Sequence, residues 1–71
     1  MVGGRPMEIE DLLDMQERGI RDRILGYGLS DNPMARPELM PVRDVTALED
    51  WYARYEAWRF GWSVEDASRQ H

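Results

Sequence analysis

Apolar residues recur at steps of three and four over two stretches of the chain, which is the period of an amphipathic helix and not the alternation of a strand. The first stretch passes through Ile9, Leu12, Leu13, Gln16, Ile20, Ile24 and Tyr27. It predicts a helix over 7–25, opened by Pro6 and by the acids Glu8, Glu10 and Asp11 at the positive end of the helix dipole. On its polar side Asp14 precedes Arg18, and Glu17 precedes Arg21, by four residues, the favourable order for ion pairs. Gly26 and Gly28 offer left-handed stops. Gly19 is an interior weak point, costing about 1 kcal/mol relative to alanine.

The second stretch, Leu48, Trp51, Tyr55, Trp58 and Trp62, places all three tryptophans on one helical stripe. It predicts a helix over 46–60. Thr46 with Glu49 has the form of a capping box, and Asp44 is the rival cap. Gly61 reads as the stop, with Trp62 folding back on the last turn as the apolar contact of a C-terminal cap. Ser63 followed by Glu65 and Asp66 is a further cap signal, opening a short third helix over 63–69. Between the two long helices, the steps Asn32-Pro33, Arg36-Pro37 and Met40-Pro41 rule out a regular element. Residues 29–43 are therefore expected to form an irregular connector. Pro33 and Pro37 are each placed to open a single turn, and Leu39 and Met40 are its anchors. Residues 1–6, with two glycines, read as a flexible tail. The fold expected is all-α, one small domain over 1–71: a small helical hairpin with a Pro-rich connector and a short C-terminal third helix, the plainer reading of the aromatic stripe being the core of an antiparallel pair.

Length limits how much this chain can hide. A domain of 71 residues buries only about 60% of its unfolded surface. There is no cysteine, so neither a disulfide nor a thiolate zinc site can staple it. No stretch approaches the roughly 20 apolar residues of a membrane span, and the first residues lack the apolar centre of a signal peptide. A cytoplasmic protein is expected, with no membrane partner. Fourteen acids against nine bases give a net charge of −5, and all nine bases are arginine. That balance argues against a nucleic-acid partner, which needs a concentrated basic face, and permits contact with a basic protein surface.

The residue types of catalysis are scarce. His71 is the only histidine; Ser68 stands three residues before it with no third group to orient the imidazole. Glu49-Asp50 and Glu65-Asp66 are sequence neighbours, which on a helix do not face one another. Phosphate-loop, calcium-loop and histidine-pair spacings are missing from the sequence. The expectation is a protein that is not an enzyme and uses no cofactor and no metal.

The stripe points to binding. Rings of this size bury roughly 150–250 Å² each, more than one short partner helix covers. Trp and Tyr are favoured interface anchors. Trp51, Tyr52, Tyr55, Trp58, Arg59, Phe60 and Trp62 are the candidate protein-binding residues, with Tyr52 and Phe60 beside the stripe and more exposed than Trp51 and Trp58. Trp62, Phe60, Tyr52 and Arg59 are the expected exposed anchors. Self-association through a shared apolar stripe is equally open.

Residues 37–61 read Pro-Glu-Leu-Met-Pro-Val-Arg-Asp-Val-Thr-Ala-Leu-Glu-Asp-Trp-Tyr-Ala-Arg-Tyr-Glu-Ala-Trp-Arg-Phe-Gly. This segment resembles the short helical segment of the minor tail protein T-type tail assembly chaperones of long-tailed bacteriophages. Glu38-Leu39-Met40, Asp44, Leu48, Asp50-Trp51, Ala53 and Phe60-Gly61 occupy the positions of that pattern. Ala47 stands where the family has glutamate, Arg54 where it has tyrosine, and Arg59 where it has proline. The resemblance implies transient binding to tail-tube or tape-measure proteins in the cytoplasm of a bacterial host, without enzymatic activity. The same aromatic helix is open to two other uses, as a small phage regulator that inhibits a host protein complex or as a multi-copy structural component of a virion.

Overall fold

The computed structural model describes residues 9–69. The flexible tail expected over 1–6, the first two residues of the first helix and His71 lie outside them. Two long helices, α1 (Ile9–Ile24) and α2 (Val45–Ser68), account for most of the chain, and two single 3-10 turns, Leu29–Asp31 and Pro37–Leu39, lie in the connector. No strand occurs among the described residues. The all-α fold read from the periodicity is the fold observed.

Each helix end has a local cause. Glu10 and Asp11 lie in the first turn of α1, and Arg21 and Arg23 in the last. The helix closes at Gly26, whose φ of 98° is the left-handed geometry expected of it. There the Gly26 amide donates to the Arg23 carbonyl at 3.0 Å and the Tyr27 amide to the Asp22 carbonyl at 2.9 Å, the paired bonds of a Schellman cap. Gly28 is not a second stop; its backbone is extended, and its amide donates to the Asp31 carboxylate at 2.8 Å. Asp44 caps α2, accepting from the Ala47 amide at 3.1 Å, so the helix starts one residue before Thr46. On α1 the polar pairing slips by a turn: Arg18 pairs with Asp22 at 3.7 Å, not with Asp14.

Gly61 does not end the second helix. The helix runs unbroken from Val45 to Ser68, so the expected third helix over 63–69 is the last part of α2. The reason lies on the other helix. A side chain on Gly61 would collide with the backbone of Gln16, and one on Gly19 would collide with the carbonyl of Trp58 and the amide of Trp62. Both glycines are buried. They let the two backbones approach until the Cα hydrogens face carbonyl oxygens, a weak but favourable contact. Each glycine costs about 1 kcal/mol of helix propensity, and close packing of two helices offsets it.

The pair runs in one direction. Asp11, near the start of α1, meets Arg54 at 3.6 Å, and Arg23, near its end, meets Asp66 at 2.9 Å. The two-helix hairpin with its Pro-rich connector is present, but its helices are parallel instead of antiparallel. The connector makes the reversal: Tyr27 lies beside Trp62, Asn32 beside Tyr55 and Met34 beside Trp51, descending α2 before the chain turns into it.

Candidate functional site

Three indoles hold the connector and α1 to the stripe on α2. Trp51 Nε1 donates to the Met34 carbonyl at 2.8 Å, Trp58 Nε1 to Asp22 Oδ2 at 2.9 Å, and Trp62 Nε1 to the Tyr27 carbonyl at 2.7 Å. Trp58 has no exposed surface. Its polar edge is satisfied by a carboxylate, which a buried indole requires. The Arg23 guanidinium lies over the Trp62 ring, 5.5 Å from its centroid, while its Nε donates to Asp66.

Asn32 organises the connector. It is buried, and its carboxamide works at both ends: Nδ2 donates to the Tyr55 carbonyl at 3.1 Å, and Oδ1 accepts from the Met34 amide at 2.9 Å. The second bond is an Asx turn, and the Ala35 amide closes a β-turn onto the Asn32 carbonyl at 3.0 Å. Pro33 therefore fills a turn and opens no helical one. Pro37 does open one, as the first residue of the 3-10 turn Pro37–Leu39. Leu39 and Met40 are not anchors, being 46% and 44% exposed. Their place is taken by Asn32 and by the Met34 carbonyl, polar groups that apolar periodicity does not register.

This connector leaves a groove against the first half of α2. Ala35, Arg36, Pro37 and Met40 form one wall, and Trp51, Tyr52, Tyr55 and Glu56 the other, enclosing about 550 Å³. It adjoins a second depression, of about 380 Å³, between Leu48, Glu49, Trp51, Tyr52 and Ala53. Tyr52 and Tyr55 stack with their planes 8° apart and centroids 6.3 Å apart, and Trp51 lies 5.5 Å from Tyr55. Tyr52 is 55% exposed. The arrangement offers flat apolar faces beside the polar groups of Arg36 and Glu56.

The seven candidate residues thus divide. Trp51, Tyr52 and Tyr55 line the groove. Trp58 is enclosed between the helices. Trp62 is half-buried, tied to Tyr27 and covered by Arg23, so it is not an exposed anchor. Arg59 is exposed and reaches Glu56 at 3.5 Å. Phe60 is exposed on the side of α2 turned away from the connector. Pro37 and Met40 enter the site without having been assigned to it. The run of prolines was the available signal, since it holds an apolar segment open beside a helix.

Among the described residues no cluster of three or more histidine, cysteine or acidic side chains is arranged to hold a metal ion, and no helix is long and apolar enough to cross a membrane. Compared with known proteins, the chain matches no family model, and no curated protein and no solved structure is significantly similar to it.

Proposed function

We propose that the chain is a non-enzymatic protein-binding module whose groove over Trp51, Tyr52 and Tyr55 receives an apolar segment of a partner protein. The observation that carries this reading is the stacked pair of the exposed Tyr52 and the half-buried Tyr55, walled by Pro37 and Met40. Rigid rings with few rotatable bonds lose little entropy on binding, and their hydroxyl tips tolerate water when the site is empty. The net charge of −5 favours a partner with a basic surface.

Within that class, the partner is a tail component of a long-tailed bacteriophage, and the chain acts as an accessory or chaperone during tail assembly. This narrower reading rests on the resemblance of residues 37–61, the segment that supplies the whole α2 wall of the groove and half of the other. Coexpression with tail-tube and tape-measure proteins tests it. The chain should copurify with one of them and raise its soluble yield, and Tyr52→Ser with Met40→Ser should abolish both effects while preserving the far-UV circular dichroism. Capture of a host enzyme complex in place of tail components would replace the tail reading with the inhibitor reading. Copies retained in purified particles would replace it with the structural one.

A further inference from the structure

The connector covers one side of the helix pair, where it meets Trp51, Tyr55 and Trp62 and, with Arg18 and Asp22, lines a polar recess. The opposite side has no cover. On α1 it presents Ile9, Leu13 and Ile24, exposed by 67%, 50% and 54%, around the half-buried Ile20. On α2 it presents Phe60 and Val64, exposed by 57% and 47%, with the half-buried Ala53 and Ala57 on the same helical stripe. Gln16 and Gly61 join the two helices in the middle.

We propose that this face is occupied by a second copy of the chain, related by a two-fold axis that lies in the face and crosses both helices at right angles. The spacing of the apolar residues is the argument. Ile9 and Ile24, and Leu13 and Ile20, are placed symmetrically about the point between residues 16 and 17. Ala53 and Val64, and Ala57 and Phe60, are placed symmetrically about the point between residues 58 and 59. The contacts Asp11–Arg54 and Arg23–Asp66 bring these two centres level to within about one residue, or about 1.5 Å of helix rise. One axis therefore serves both helices. Rotation about it lays α1 antiparallel on its counterpart, with Ile9 opposite the copy's Ile24 and Leu13 opposite the copy's Ile20. It also lays α2 on its counterpart with the small Ala57 opposite the large Phe60, so that knob meets hole at both ends.

Charge follows the same operator. Arg21 has no ion pair among the described residues, and neither has Glu10 or Asp14. Across the axis Arg21 falls between the levels of Glu10 and Asp14 of the other copy. Two helices wide and about 24 Å long, the face offers about 500 Å² per copy, which suits a weak, concentration-dependent dimer and not the roughly 800 Å² per partner of a tight one. The product is a four-helix layer pair that leaves the Trp51–Tyr55 side of both grooves uncovered, with Ala53 and Glu56 marking the boundary between groove and face. This inference does not rest on the groove's having a partner.

Analytical ultracentrifugation of the full chain over a concentration series up to about 1 mM tests the assembly. The wild type should sediment as a dimer. Leu13→Gln with Phe60→Ser should weaken association at least ten-fold with unchanged helix content, and Tyr52→Ser should leave it unchanged. The symmetry is tested separately, because the chain has no cysteine of its own. Glu17→Cys, next to the axis, should form a disulfide-linked dimer rapidly with oxidised glutathione, and Arg36→Cys, on the connector side, should not. A chain monomeric throughout the series, association unaffected by Leu13→Gln with Phe60→Ser, or equal crosslinking at positions 17 and 36 would each overturn the proposal.

Discussion

Gly19 packs directly on the carbonyl of Trp58, with no room for even a methyl group between the two backbones. This contact reverses the sign that helix propensity gives to a simple substitution. Gly19→Ala should gain about 1 kcal/mol of propensity and lose more to forced separation of the helices. A net destabilisation of about 2–3 kcal/mol is expected, and the same for Gly61→Ala, whose side chain would meet Gln16. Thermal melts followed by circular dichroism check this; a raised melting temperature for either variant would contradict the close crossing.

Gly26→Ala is destabilising for a different reason. Space is open around that position, but its φ of 98° is costly for any residue with a side chain. The expected loss is about 1–2 kcal/mol. Gly28→Ala, with extended backbone, should be nearly neutral, and a urea titration of the two variants side by side distinguishes them.

Trp58→Ala should cost about 3–5 kcal/mol, enough to unfold most of a chain this small. Phe60→Ala, two positions on and 57% exposed, should change the unfolding free energy of the isolated protomer by less than about 1 kcal/mol. Chemical denaturation at low protein concentration measures both. Asp22→Asn should be milder than Asp22→Ala, because the amide oxygen still accepts from Trp58 Nε1.

Asn32→Ala removes a bond to Tyr55 and another to the Met34 amide, and should cost about 1–3 kcal/mol. Asn32→Asp should be worse than its size suggests. It keeps the Asx turn but faces a carboxylate oxygen toward the Tyr55 carbonyl. Hydrogen exchange at the Met34 and Ala35 amides reports the connector's release in each variant.

The parts of this fold decided within a few residues were readable from the sequence. The apolar period located both helices, Gly26 was marked as a left-handed stop, and Asp44 was one of two candidate caps. What escaped depends on residues far apart in the chain. Gly61 has the local signature of a helix end, and only the backbone of Gln16 turns it into an interior contact. The parallel sense has no local signature at all, because it follows from where the connector is tied. The site was legible in part. Trp51, Tyr52 and Tyr55 were identified from their ring types, but the indole N–H groups choose carbonyls and a carboxylate elsewhere in the chain. Those choices made Trp58 and Trp62 structural. On α1 the single apolar stripe splits, since Leu12 and Gln16 turn inward while Leu13 and Ile24 do not.

The parallel sense also sets the order in which this molecule can assemble. An antiparallel pair closes from its turn, each contact lying a little farther along the chain than the last. Here the ion pairs that join the helices bridge 43 residues, more than half the chain, and the shorter closures, Met34 to Trp51 and Asn32 to Tyr55, tie only the connector to α2. Loop closure must be met almost in full before any helix–helix contact forms. A chain emerging from the ribosome carries α1 without a partner until Trp58 and Gly61 appear. Folding should therefore be slow for a helical protein of this size, and a fragment ending before residue 58 should show little stable helix.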